Sequence, residues 1–353
     1  MNGIHPADDV GMGRVLAPPG VLPQAAHSLD PDAPLRGAEI AIDVESMNLD
    51  SASFRDLVEN CPSPEVIRQE VLDIVATRGK MQNPRTGSGG MLVGRIQSMG
   101  PEAADGQFRI GDPVATLISL TATALAITDR LERWDATSEV VPVDARAIVP
   151  SPRTICRLPD DMPTTLALSV LDVCGAPALT SRILRRPLLD GAVRRLLLIG
   201  GGKSAVLASA AARRLGVHTQ SAVPTVAEAE RLRSFDVFDD VVVADASQPE
   251  QLRIASSRGD ALADVTLVCV NVPGCEHSAL LATREGGAVI YFSMATSFSA
   301  VALGAEAMCK DLDLYFGSGY VPGHAELALE LVRSDARVRA FFDDVMRCHH
   351  QHK

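Results

Sequence analysis

Six short apolar runs recur in the second half of the chain at a nearly constant pitch. They begin at Arg194 (RRLLLIG), Val217 (VHTQSAV), Asp240 (DVVVAD), Asp264 (DVTLVCV), Gly287 (GAVIYFS) and Leu312 (LDLYFG), so successive starts lie 23, 23, 24, 23 and 25 residues apart. That is the pitch of a strand plus a crossover helix, and strands that are apolar throughout belong to a parallel sheet covered on both faces. The segments between them carry helix signals. Ser204–Leu215 is alanine-rich and stops at Gly216, while Thr225-Val-Ala-Glu228 and Ser247-Gln-Pro-Glu250 both fit a capping box. The expected fold class is α/β, with a six-stranded doubly wound parallel (Rossmann) sheet.

The first turn of this alternation carries chemistry. Ile199-Gly200-Gly201-Gly202-Lys203-Ser204-Ala205 follows a strand and opens a helix, with Gly200, Gly202 and Ala205 in the GxGxxG/A positions. The first glycine permits the tight turn, the second lets the backbone approach a pyrophosphate, and the helix start offers free N–H groups to anionic oxygen. The plainer alternative is a glycine-rich turn kept for steric reasons alone. Gly200, Gly201, Gly202, Lys203 and Ser204 are therefore the cofactor-binding candidates. Asn271 and Val272 after the fourth strand, and Ser293 and Met294 after the fifth, join them at the carboxyl edge, where open α/β sheets bind ligands. Asp245, ending the third strand, lies near an adenine or only caps a turn. The second strand, His218-Thr-Gln-Ser-Ala-Val-Pro224, ends in neither an acid for a ribose hydroxyl nor an arginine for a 2′-phosphate. NAD and NADP both stay open.

Residues 1–160 lack that pitch. Runs such as EIAIDVESMNL, MLVGRIQSMG, DPVATLIS and SEVVPVD alternate with Gly, Pro and Asp clusters, which predicts an irregular, mainly β unit. A helix is expected from Asp161, a second after the Gly175-Ala-Pro177 break, and two more over Ala325–Arg333 and Ala336–Arg347. At 353 residues, with 46% apolar and 22% charged residues, the chain can bury a core in each of two domains. The net charge of −11 and only 13 aromatic residues (one Trp, three Tyr, nine Phe) argue against nucleic-acid partners. Seven scattered cysteines without a CxxC fit reduced thiols. With no secretory signal read and no long apolar span, a cytoplasmic protein without a membrane partner is expected.

The order of a β-rich unit, a boundary helix, a dinucleotide-type sheet and a C-terminal return resembles the medium-chain dehydrogenase/reductase superfamily. Gly111-Asp-Pro-Val114 is similar to its G-D-x-V turn and Gly89-Gly-Met-Leu-Val-Gly94 to its G-H-E-x-x-G segment. In the zinc alcohol dehydrogenases of that superfamily the His and Glu lie at the metal; here Gly90 and Met91 stand in their places. Cys174 falls near another zinc-ligand position, but a single thiol makes no site, and a buried core cysteine is the reading adopted. No metal is expected. Longer blocks narrow the match: MGRVLAPPGVLPQAAHSLD (12–30), VESMNLDSASF (44–54), RGKMQNPRTGSGGMLVG (78–94), DVCGAPA (172–178), CVNVPGCE (269–276), FSMATSFSAVALGAEA (292–307) and GSGYVPGHAE (317–326). Together they resemble the L-erythro-3,5-diaminohexanoate dehydrogenases of lysine degradation, a zinc-free branch of the superfamily.

That resemblance implies a GroES-like N-terminal domain over 1–160 that carries substrate and catalysis, a Rossmann domain over 161–318, and a helical segment over 319–353 that packs back toward the N-terminal domain. It implies NAD(P)-dependent oxidative deamination of a small amino-acid substrate, giving 5-amino-3-oxohexanoate and ammonium, in a homodimer or homotetramer. A zinc-independent quinone or enone reductase, a related amine dehydrogenase of specialised metabolism and a noncatalytic nucleotide-binding protein are the alternatives. Loss of the zinc ligands suits amine chemistry: an alkylammonium titrates near about 10, so a carboxylate or water relay can supply the neutral amine.

The catalytic candidates are Asp50, Ser51, Lys80, Asn83 and Asp172. Asp50 and Ser51 lie about where the superfamily places its first zinc ligand; Asp50 is an ammonium-binding or general-base carboxylate, or a helix N-cap. Asp172, on the boundary helix, is an acid–base group or a structural salt-bridge partner. Lys80 and Asn83 precede the TGSGG loop and are expected to hold a substrate carboxylate, against a solvated lysine; Ser88 in that loop is a weaker candidate. His324 is a proton shuttle or, more simply, a helix-start histidine bonded to backbone. The tail histidines at 349, 350 and 352 read as a solvated terminus.

Overall fold

A computed structural model describes residues 10–103, 106–186, 193–259, 261–293, 295–317 and 319–351. Two compact units divide between Thr164 and Thr165.

The first unit contains β1 (Val15–Ala17), β2 (Ser28–Leu29), β3 (Ile40–Leu49), α1 (Ser51–Asn60), α2 (Pro64–Arg78), β4 (Gly90–Met99), β5 (Pro113–Thr116), β6 (Ala124–Ile127), β7 (Val140–Val149) and β8 (Ile155–Arg157). Six of the strands form an antiparallel sheet in the order β6-β7-β3-β4-β5-β8. The mainly β expectation holds for the sheet but omitted two helices. Their signals are local. Asp50 caps α1 and Ser63 caps α2, with Pro64 in its first turn. Ile67, Val71, Ile74 and Val75 then recur on one face of α2 and are buried. They join a core that includes Ile40, Ile42, Met47, Leu92 and the fully packed Trp134, whose Nε1 donates to the Ser138 carbonyl at 2.9 Å.

A buried ion pair ties the N-terminal segment to this unit. Arg14 donates to both Glu39 oxygens at 2.8 and 2.6 Å, and to the carbonyls of Asp30, Ala33 and Pro34. Every polar group of the pair is served, the condition under which a buried charge is tolerated.

The second unit runs α3 (Thr164–Leu171), α4 (Gly175–Leu184), β9 (Arg195–Ile199), α5 (Lys203–Arg214), β10 (His218–Val223), α6 (Val226–Phe235), β11 (Asp240–Val243), α7 (Pro249–Ser256), β12 (Ala263–Val268), α8 (Glu276–Ala282), β13 (Thr283–Tyr291), α9 (Phe298–Ala307), β14 (Leu312–Phe316), α10 (His324–Ser334) and α11 (Ala336–Gln351). Its six strands are all parallel, in the order β11-β10-β9-β12-β13-β14. Numbered along the chain this is 3-2-1-4-5-6, and its direction reverses between β9 and β12, where such sheets open a ligand crevice. The expected α/β class and both sheets are present. One capping box is not: Thr225 accepts from the Glu228 N–H, but the N-cap of α7 is Gln248, which makes no side-chain cap bond, and Asp245 takes both the N–H and hydroxyl of Ser247. Within this unit α10 packs on α4 and α5, and α11 on α5 and α6. Among the described residues no single helix is long and apolar enough to cross a membrane; α3 and α4 pass such a test only together, across a 45° bend.

Candidate active site

In the first unit, the end of β3 and the start of β4 are held unusually close by a glycine. Leu49 pairs with Gly90 and Asn48 with Met91. Gly90 has φ +116, and a Cβ there would stand 2.0 Å from the Asn48 carbonyl oxygen and 2.9 Å from the Asp50 nitrogen. Gly90 can therefore carry no side chain, and Met91 is buried in the core. The backbone contact brings the loop before β4 against Asp50, whose N–H donates to the Gly89 carbonyl at 3.3 Å.

Asp50 then acquires an asymmetric carboxylate. Oδ1 accepts from the Ala52 and Ser53 N–H groups at 3.1 and 3.0 Å and from the Ser88 hydroxyl at 2.8 Å. Oδ2 is buried and has no hydrogen-bond partner among the described residues. Ser88 spends its proton on Asp50, so its oxygen accepts; the Ser53 and Thr86 hydroxyls both lie 2.8 Å from it and 3.2 Å from each other. Ser53 is fully buried and Thr86 exposed. Sequence reasoning passed over Ser53 and Thr86. Their signals were the i, i+3 spacing from a cap and the T-G-S loop. Ser51, the first residue of α1, points to solvent and does not join the cluster.

Lys80 and Asn83 do not offer groups to a substrate carboxylate, and both expectations are corrected. Lys80 is 0% exposed, and its Nζ donates to the carbonyls of Pro23, Thr121 and Gln24 at 2.8, 2.9 and 3.2 Å. An ammonium has three donors, and all are used. Burial, with Arg78 nearby, pushes the Lys80 amine down to about 8. Asn83, also 0% exposed, donates to Asp56 at 2.8 Å, and its Oδ1 accepts from the N–H groups of Arg85 and Thr86. The Asn83 hydrogen bond, supported by Arg85, holds the Asp56 carboxyl below the usual carboxylate range. Both residues shape the loop that presents Ser88.

In the second unit, the glycine turn sits at the switch point. Gly200 has φ +111, and a Cβ there would meet Val270 Cγ1 at 2.6 Å, on the segment leaving β12. Gly202 is the N-cap of α5, supplies no side-chain cap, and a Cβ on it would enter open space. An uncapped helix start beneath open space is a cradle for a phosphate group, so these residues fit a dinucleotide; Lys203 and Ser204 follow in the first turn, each half-buried. Asn271 and Val272 are exposed after β12, and the Ser293 hydroxyl donates to Asn271 Oδ1 at 3.1 Å, joining two of the expected edge positions. Met294 lies outside the described residues, as does His352.

Asp172 and Lys203, assigned to different tasks from sequence, meet directly: Nζ donates to Asp172 Oδ2 at 3.0 Å. His324 opens α10, buried, with Nδ1 donating to the Val321 carbonyl at 3.0 Å and its pKa lowered by burial. Asp245 is a turn cap, and Cys174 is buried. Among the described residues no three His, Cys, Asp or Glu side chains converge as a metal site.

Comparison with known proteins identifies the family and the fold. Residues 13–159 match the family described as the L-erythro-3,5-diaminohexanoate dehydrogenase N-terminal domain. An L-erythro-3,5-diaminohexanoate dehydrogenase of Acetoanaerobium sticklandii is 39% identical over 342 residues, covering 94% of this chain and 97% of the relative. One of Fusobacterium nucleatum is 39% identical, covering 95% and 97%. Among solved structures, a Thermus alcohol dehydrogenase shares the fold with a TM-score of 0.52 at 16% identity, over 89% of this chain and 88% of that one. An oxidoreductase of medium-chain dehydrogenase/reductase fold, the chain belongs to the L-erythro-3,5-diaminohexanoate dehydrogenase family.

Proposed function

We propose that this protein catalyses the NAD- or NADP-dependent oxidative deamination of L-erythro-3,5-diaminohexanoate at C3, giving 5-amino-3-oxohexanoate and ammonium. The names and near full-length similarity of its relatives support the substrate. The observation that carries the chemistry is Asp50: one carboxylate oxygen is held by three donors, and the other is buried and bare. A buried carboxylate oxygen without a protein partner suits a ligand that brings a cationic N–H donor.

Asp50 Oδ2 receives the C3 ammonium, orients it and accepts a proton, leaving a nitrogen lone pair to form the C=N bond. The Gly200–Ser204 turn fits a dinucleotide, and a nicotinamide cofactor supplies a hydride acceptor when bound. Water then adds to the iminium carbon. Its oxygen becomes the ketone, the nitrogen leaves as ammonium, and one proton is released to solvent. The Ser88 hydroxyl, backed by those of Ser53 and Thr86, and the Ala52 and Ser53 N–H groups fix Oδ1, which holds Oδ2 in one orientation.

The test is direct: NAD⁺ or NADP⁺ with L-erythro-3,5-diaminohexanoate at alkaline pH, following the absorbance of the reduced cofactor. Turnover with at least one cofactor is expected. No turnover with either overturns the proposal, and NADPH-dependent reduction of an enone without any amine oxidation replaces it.

A further inference from the structure

Lys203 is the first residue of α5, directly after the three glycines, and its ion pair with Asp172 is 3.0 Å long. Asp172 lies in the turn between α3 and α4, and α4 packs on α5. The side chains are 57% exposed for Asp172 and 28% for Lys203, so the pair is partly solvated and can separate.

The position of Lys203 is electrostatically unusual. A cation in the first helical turn faces the positive end of the helix dipole and is unfavourable there unless an anion accompanies it. The first N–H groups of α5 also have no side-chain cap, and the space above Gly202 is open. Helix end and lysine lack the same thing, and Asp172 serves only the lysine. A phosphate oxygen over Gly202 would serve both at once.

We infer that Asp172 holds Lys203 in the free protein and that Lys203 exchanges this carboxylate for a cofactor phosphate when a dinucleotide binds. The inference rests on reading the glycine turn as a dinucleotide site. No covalent bond changes; one ion pair replaces another, and the Asp172 carboxylate is left unpaired. Asp172 therefore opposes cofactor binding by neutralising Lys203. It acts as a positioning residue for Lys203, and its removal improves affinity instead of impairing it.

Calorimetric titration with NAD⁺ and with NADP⁺ tests this on four proteins: wild type, Asp172→Asn, Lys203→Met and the double variant. Asp172→Asn is expected to tighten binding of the preferred dinucleotide by about two- to fivefold, the scale of a partly exposed ion pair. Lys203→Met weakens it, and adding Asp172→Asn to Lys203→Met changes nothing further. Unchanged or weaker binding by Asp172→Asn overturns the exchange, as does a tightening that persists without Lys203. Asp172→Ser repeats the test without an amide that could still bond Lys203, and the same outcomes apply. If the wild type binds neither dinucleotide, the reading of the turn fails; if it binds but Asp172→Asn leaves Kd unaltered, only the exchange fails.

Discussion

Ser88 donates to Asp50 Oδ1 at 2.8 Å, and with that bond all three of the donors on this carboxylate converge on one oxygen. The same residue is a helix cap and, in the proposed reaction, the base. Those readings compete when only the sequence is in view. In the folded chain they belong to different oxygens.

Asp50→Asn separates the two. Asparagine caps a helix about as well as aspartate, so the melting temperature should stay close to that of the wild type. Turnover of the diamine should fall by about 10²–10⁴-fold, the usual worth of a positioned acid–base group, while dinucleotide affinity stays unchanged. Steady-state kinetics, calorimetry and a thermal melt check the three parts. Retained kcat would remove Asp50 from the chemistry.

Gly200→Ala places a methyl group 2.6 Å from Val270 Cγ1 at a residue with φ +111. Val270 can shift, but the backbone strain stays, at about 1–3 kcal/mol. Chemical denaturation should show that loss, and dinucleotide affinity should drop at least about tenfold as the turn distorts.

Lys80 predicts a pH dependence of stability. Its folded pKa of about 8 lies below the ordinary lysine value. Below pH ~8 both states are protonated and the burial penalty is fully present. Between there and about 10.4 the unfolded chain binds more protons, so stability contributed by this group rises with pH. Relative to Lys80→Met, the wild type should gain about 1–2 kcal/mol between roughly pH 7.5 and 9.5. Urea denaturation of both proteins at the two pH values measures it, and a constant difference would contradict the prediction.

Arg14→Met leaves Glu39 only 4% exposed with its partner gone. An uncompensated buried charge costs about 3–5 kcal/mol. The urea midpoint should shift accordingly, with a second, smaller effect on the anchoring of the N-terminal segment.

The parallel sheet was legible because its information is periodic: each strand and helix repeats a local pattern. The glycine turn was legible for the same reason, since strand, glycines and helix are contiguous. The caps of α1 and α2 and the spacing of Ile67, Val71, Ile74 and Val75 were equally local, yet strand-like runs on either side dominated the reading of that region. Lys80 was another matter. Its three acceptors come from residues 23, 24 and 121, and no local pattern announces that three distant carbonyls will meet. The asymmetry of Asp50 likewise depends on Ser88, 38 positions away. Residue types could be chosen from the sequence; which of their atoms remain free could not.

Gly90 also bears on how such an enzyme could change its chemistry. With the Asn48 oxygen 2.0 Å from where a Cβ would begin, the obstacle at this position is main chain, which no neighbouring side-chain substitution can clear. Installing a histidine or any other side chain there would require β3 and β4 to separate first, disturbing the very loop that delivers Ser88 to Asp50. A metal ligand cannot be introduced at this position in one step, and laboratory evolution toward one would have to pass through variants whose strand pairing is already broken.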